Sequence, residues 1–331
     1  MQDLTALCVG DAVIDIFLKI PQNNPHFGLD EKGNNLFITL GEKIAVDKYE
    51  IDLGGNASNT AVGLSRLGIK TKLVAEIGKD EFAQKIINSL DAEKVNVSYV
   101  LKNPSEKTSF SVSLNYNGER TLLVEHVERD HNFKFPENPS RLMYLTSLGD
   151  KWEKAYTDAL EYSTKNGCIL AFNPGTRQII KRGNVIWSIL EKTDILFVNK
   201  EEAEELLYGK EIELPKGDGS IKKLLYGLKG LGPKNVVITD SKNGSYLEDE
   251  SNKSYHLAAV ETNVVEKTGA GDAYSSGFLA GFLNGLSLPE AMQWGALDSS
   301  GVITNIGAQK GLLTKEEILK KAKAVVAYEE I

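Results

Sequence analysis

The sequence predicts an α/β protein of three layers: a mainly parallel central sheet, helices on both of its faces, and a small β lid. Three observations carry that prediction. Apolar runs of four to six residues alternate with helix-patterned segments through the second half of the chain, as strands buried on both faces do. Strand-like segments follow one another between residues 97 and 127 with no helical pattern between them. A chain of 331 residues, 41% of them hydrophobic, is long enough for one large α/β domain over residues 1–331 with an appendage, and for a core without disulfides.

The elements follow in order. Residues 5–20 read as a buried strand, a turn at Gly10-Asp11 and a second strand. The stretch 21–35 is rich in Asn, Pro and Gly and reads as a loop. Strands are expected at 36–40 and 44–52, then a short helix over GGNASNTAVGLSRLG (54–68) stopped by Gly68. A strand at 71–78 precedes an amphipathic helix at 80–93. The strands at 97–127, with a turn at Asn117-Gly118, read as an antiparallel patch. Afterwards strands at 142–148, 167–173, 194–199 and 235–240 alternate with helices at 151–166, 176–191, 200–208 and 219–229. A hairpin at 244–260 leads into a glycine-rich helix. The charge clusters Glu201–Glu205 and Lys315–Lys323 read as solvated helix faces. The lid is expected from discontinuous strands near 12–20, 36–52 and 97–127, overhanging the edge where open α/β sheets bind ligands.

Composition narrows the function. Asp and Glu outnumber Lys and Arg by 46 to 38, which argues against nucleic acid as a partner. No run approaches 18 apolar residues, so no membrane-spanning helix is expected. The opening MQDLTALCVG lacks the basic start of a signal peptide. Cys8 and Cys168 lie in apolar runs and read as small core residues. Together these point to a cytoplasmic protein. The four histidines are scattered, with no HExxH or CxxC, so solvated or loop positions are expected for them and a zinc site is not.

Three motifs carry chemistry. In EKTGAGDAYSSGFLAGFLNG (266–285), Gly269, Ala270 and Gly271 form a small-residue turn and Asp272 opens a long apolar helix. Bare backbone N–H groups at a helix start can hold an anion. An acid beside them can deprotonate a hydroxyl that attacks a phosphoryl group. Asp272 as a plain helix cap is the competing reading. Gly277 and Gly281 leave a smooth stripe for close helix packing. In the second motif, Gly54 and Gly55 let a ligand approach the backbone, and Asn56 and Asn59 offer amides suited to sugar hydroxyls; a loop with an N-cap is the alternative. In the third, Asn199 and Glu202 form a helix-capping pattern that could also organise water around Mg²⁺. Neither GxxxxGK[ST] nor GxGxxG occurs, so a Walker loop and a dinucleotide fingerprint are both excluded.

Together these motifs resemble the ribokinase-like, or PfkB, family of ATP-dependent sugar and nucleoside kinases, over nearly the whole chain. The early Gly10…Asp15, the GGNASN block, IGKDEF (77–82), Asn199 with Glu202, Thr239 ending a strand, and TGAGD at 268–272 carry the resemblance. It implies a ribokinase-like fold and a kinase acting on a primary hydroxyl of a small sugar, with ATP and Mg²⁺. Asp272 would be the base and Gly269, Ala270 and Gly271 the anion hole. Asp15, Gly54, Gly55 and Asn59 would line the sugar site, and Asn199 and Glu202 would position Mg²⁺ and phosphate. Thr239, Gly244 and Thr268 would lie along the nucleotide, with Asn305 and Gly307 near its base or a monovalent cation. The resemblance also implies a lid that can form a homodimer. A nucleoside kinase is the alternative, with Phe17, Phe37 and Phe110 of the lid region as candidates for a base pocket. A non-catalytic sugar-binding regulator is the weaker one.

The chain departs from the family pattern in four places. Glu266 stands where aspartate is usual, Lys267 where a small polar residue is, Ser241 where a glycine is, and Asn173 where an aspartate is. Family members often hold a monovalent cation by that first acid, so a K⁺ site at Glu266 is expected.

Overall fold

The computed structural model describes residues 4–117, 119–125, 127–209, 221–324 and 327–331. Strand β1 (Thr5–Val9) runs into β2 (Val13–Lys19). A small ribbon, β3 (Phe27–Leu29) with β4 (Leu36–Ile38), precedes β5 (Lys48–Gly54) and helix α1 (Asn56–Arg66). The chain continues through β6 (Lys70–Ile77), α2 (Glu81–Ala92), β7 (Asn96–Lys102), β8 (Phe110–Tyr116) and β9 (Glu119–Glu125). Alternation then sets in: β10 (Leu142–Thr146), α3 (Trp152–Asn166), β11 (Ile169–Asn173), α4 (Thr176–Lys181), α5 (Asn184–Leu190), β12 (Ile195–Asn199), α6 (Lys200–Gly209), α7 (Ile221–Lys229) and β13 (Asn235–Thr239). The last part holds β14 (Ser245–Glu248), β15 (Ser254–Leu257), α8 (Ala270–Leu283), α9 (Leu288–Val302), α10 (Lys315–Lys321) and β16 (Glu329–Glu330).

The main sheet has the order β16-β15-β14-β13-β12-β11-β10-β1-β6-β7. It is parallel from β7 to β13 and antiparallel beyond. Its side chains alternate between two cores. Ala6, Cys8, Leu142, Tyr144 and Phe197 face the helices α1, α2, α8, α9 and α10. Leu7, Val9, Met143, Leu145 and Leu196 face α3 to α7. A strand that alternates between two apolar faces has no polar side, which is why these segments read as unbroken apolar runs.

A second sheet, β5-β2-β8-β9, stands apart. Its β2 and β8 are parallel and its outer pairs antiparallel. Several expectations change here. The strand near 97 does not join this sheet: β7 lies parallel to β6 at the edge of the main sheet, because α2 supplies a crossover connection. The segment near 36 pairs within its own two-stranded ribbon. Residues 27–29, expected in a loop, form its other strand. Helix α9 has no counterpart among the sequence expectations. His131 is in a loop but buried, with its ring bonded to the Asp150 carbonyl at 3.0 Å. Cys168 is only half-buried, unlike Cys8. His126, Gly118 and the expected helix start at 219–220 lie outside the described residues.

Candidate active site

Parallel strands end at one edge of the sheet, and the site is built there. Asn173, Asn199 and Thr239 end β11, β12 and β13, and Asn199 and Thr239 are register partners. Helix α8 begins just above them. Its N-cap, Gly269, has φ +77°, and a Cβ there would come within 2.5 Å of Ala308. Only glycine fits that position. Gly271 has open space where its side chain would be. A cavity of about 300 Å³ opens there, with Asn173, Asn199, Glu202 and Thr239 below and Gly269 through Asp272 beside it. A second cavity of about 170 Å³ shares Thr239, Ala270 and Gly271 and continues past Gly244, Ala258 and Ala259. The two form one groove around the N-terminus of α8.

Asp272 is 7% exposed. Its Oδ2 accepts a hydrogen bond from Asn59 Nδ2 at 2.9 Å, and Asn59 Oδ1 in turn accepts one from Gln309 Nε2 at 2.9 Å. This chain sets the orientation of the carboxylate. Burial pushes the Asp272 carboxyl up to about 7; the Asn59 bond opposes this, and the charges of Asp15 and Glu202 add to it. A carboxylate poised near neutrality, beside bare amides at a helix start, is suited to accept a proton from a hydroxyl while the amides receive an anion.

Asp15 sits on β2, and its Oδ1 accepts a bond from Ser111 Oγ at 2.6 Å. It packs so closely on Gly54 that a Cβ there would lie 2.1 Å from Oδ2. Burial raises its pKa as well. Gly55, at φ +94°, caps α1 and presses on the Asp11 carbonyl. Asn199 and Glu202 make a reciprocal cap: Glu202 N donates to Asn199 Oδ1 at 2.8 Å and Asn199 N to Glu202 Oε2 at 2.9 Å. They cap a helix and face the cavity at the same time. Burial raises the Glu202 carboxyl. Among the described residues no group of three or more His, Cys, Asp or Glu is placed to hold a metal. One carboxylate with one amide does fit Mg²⁺ held mainly by phosphate oxygens and water.

Other expected residues lie elsewhere. Thr268 donates through its N and Oγ1 to Glu266 Oε1. Asn305 donates to Gly301 O and Thr304 Oγ1, and Gly307 lies beside the Asp52 carboxylate; neither lines the two cavities. Glu266 is no solvated carboxylate: it is 8% exposed and accepts a bond from Arg120 Nη1 at 2.7 Å. Sequence reasoning missed Arg120 and Gln309 as site residues. Each is a single polar residue whose site partner lies about 150 or 250 positions away in the chain, and no local spacing marks it.

The fold and this site define a phosphotransferase with an alcohol acceptor. A family model described as pfkB family carbohydrate kinase matches residues 21–315, so the chain belongs to that family and is a carbohydrate kinase. It is 24% identical over 315 residues to a 5-dehydro-2-deoxygluconokinase of Clostridium perfringens, covering 89% of this chain and 91% of that one. It is 26% identical over 294 residues to a ribokinase of Haemophilus influenzae, covering 86% and 92%. The structure is similar to an Arabidopsis thaliana ribokinase complexed with ribose and ATP, with a TM-score of 0.76 at 20% identity over 98% and 99% of the chains. It is similar as well to a nucleoside kinase of Methanocaldococcus jannaschii, with a TM-score of 0.74 at 20% identity over 97% and 98%. These likenesses show the ribokinase-like fold.

Proposed function

We propose that this carbohydrate kinase transfers the γ-phosphoryl group of ATP to a primary hydroxyl of a small sugar. The observation that carries the reading is Asp272: buried, held by Asn59 at 2.9 Å, and set one residue after the open Gly271. Asp272 takes the hydroxyl proton as the oxygen attacks, and the amides of the Gly269–Gly271 turn receive the charge on the transferred group. Asp15, Gly54, Gly55 and Asn59 border neither cavity as it stands and would contact the sugar from the side of Asn59, which bonds Asp272. Thr239 and Gly244 lie along the nucleotide in the second cavity. Asn199 and Glu202 would hold Mg²⁺ through water, and the ion would supply charge neutralisation between the phosphates. Residues 1–331 would act as one kinase domain in the cytoplasm, with the β5-β2-β8-β9 sheet as its lid and as the contact of a homodimer.

The lid-region phenylalanines considered for a base pocket give a nucleoside none beside Asp272, where the aromatic lining is Phe197 and Tyr274. Phe17 is buried against Gly307, Phe110 packs on Phe82, and Phe37 is exposed on the ribbon. None lines the cavity beside Asp272. The test is ATP turnover with Mg²⁺ against ribose, fructose, 5-dehydro-2-deoxygluconate and adenosine, with the product located by phosphorus NMR. A saturable rate with one of the sugars, phosphorylated at its primary hydroxyl, is the expected result. Turnover of adenosine alone would overturn the sugar reading, and phosphorylation at a secondary hydroxyl would overturn the acceptor geometry.

A further inference from the structure

Glu266 and Arg120 form a contact that the proposed chemistry does not use. Glu266 is 8% exposed, and a carboxylate that deep is costly without a counter-charge. Its Oε1 accepts from Thr268 N at 2.9 Å, from Thr268 Oγ1, and from Arg120 Nη1 at 2.7 Å. Its Oε2 is buried without a partner among the described residues. Thr268 is the residue before Gly269, so the carboxylate holds the start of the turn that presents the amides. Arg120 comes from a different part of the molecule. It lies on β9, the edge strand of the lid, opposite Asn115 of β8, and it also borders the cavity beside Asp272.

The carboxylate therefore already has its cation. A monovalent metal ion on Glu266 would share one carboxylate with a guanidinium 2.7 Å from Oε1, and the two like charges would repel across it. The residues present do not fit the K⁺ site expected there. We propose that Arg120 is a positioning residue of the phosphoryl-transfer site: carried by the lid, its guanidinium is the counter-ion of Glu266 and fixes the 266–271 turn without a metal ion from solvent. The arrangement ties the order of the anion-binding turn to the presence of the lid above it. It rests on the kinase reading of this site.

The test uses the full chain, wild type and Arg120→Ala, with two readouts. The first is initial rate against KCl at fixed ionic strength, balanced with tetramethylammonium chloride. Wild type is expected to be indifferent to K⁺. Arg120→Ala is expected to lose about 10- to 100-fold in kcat, the scale of a displaced reacting group, with little change in KM for the sugar. The second is hydrogen exchange of residues 264–271 in the free protein, which needs no turnover. Exchange there is expected to rise in Arg120→Ala and to fall back when Glu266→Gln is added, since the second change removes the orphaned charge. A several-fold activation of wild type by K⁺ would overturn the proposal. So would a loss confined to sugar KM, which would make Arg120 an acceptor contact, or unchanged exchange in Arg120→Ala. A wild type that turns over no sugar would defeat the kinase reading alone, and the exchange data would still decide the pairing.

Discussion

At the scale of the residue, Asp272 links burial to chemistry. Its carboxyl is raised to about 7 from the ordinary 3.8, chiefly by desolvation. A protonated acid accepts no proton, so kcat/KM is expected to fall as pH drops through about 7, on an acidic limb that belongs to the free enzyme. Stability runs the other way. The folded state keeps the proton that the unfolded state has released, so the contribution of neutral Asp272 is complete below 3.8 and is lost as pH rises through about 7. Asp272→Asn removes the proposed base and the titrating carboxyl together. Turnover is expected to fall by about 10²–10⁴-fold. The melting temperature of the variant is expected to gain on wild type between pH 5 and pH 8, as read by calorimetry. A gap that stays constant over that range would mean that Asp272 is ionised throughout, its charge held by its donors. Asp272 was legible because Gly-Ala-Gly-Asp before an apolar helix is a local pattern. Gln309, which reaches it through Asn59, was not, because the fold alone brings them together.

At the scale of the element, the glycines of α8 separate packing from binding. A Cβ on Gly277 would stand 2.4 Å from the carbonyl oxygen of Trp294 on α9, so this glycine lets the two helices touch. A Cβ on Gly271 meets nothing within 4 Å and would enter the cavity. Gly277→Ala is expected to cost about 1–3 kcal/mol of stability, the scale of overpacking. Gly271→Ala is expected to leave stability within about 0.5 kcal/mol while lowering kcat/KM for ATP about tenfold or more, as an obstructed anion site should. Denaturant unfolding and initial rates check both, and two variants with the same profile would refute the division. The βα alternation was legible because strands buried on both faces leave unbroken apolar runs. Helix α9 was not: it is buried on most sides, including Ala291, Met292, Trp294, Leu297 and Val302, and a helix without a polar face shows no 3.6-residue stripe. The Ser287–Glu290 capping box with Pro289 inside it is the signal that marks its start. Strand β7 was misplaced because it alternates in burial like a half-exposed lid strand.

At the scale of the whole molecule, the lid sheet is held to the body by ion pairs on two flanks. Arg120 meets Glu266 on one, and on the other Lys310 meets Glu50 and, at 3.0 Å, Asp52. The second flank is partly solvated and worth little, so it would not hold the proposed lid shut. Among the described residues the proposed lid ends in an unpaired edge strand, β9. On β9, Leu122, Leu123 and Val124 are 42%, 55% and 52% exposed. Leu122 and Val124 share the face of Arg120, while Leu123 points to the other. An aliphatic edge strand exposed on both faces is a template for another strand, and a monomer usually protects it with charge or a bulge. A second copy of this chain would cover it symmetrically, so each contact would be made twice. Each covered side chain would contribute on the order of 1 kcal/mol from its apolar area. Leu123→Glu, on the face away from the cleft, places two like charges in that contact and leaves the Arg120 face untouched. Sedimentation velocity is expected to show a dimer for wild type and a monomer for Leu123→Glu, with the monomer keeping its melting temperature. A wild type that sediments as a monomer at every concentration would leave the β9 edge to another role, and a dimer that survives Leu123→Glu would move the interface elsewhere on the lid.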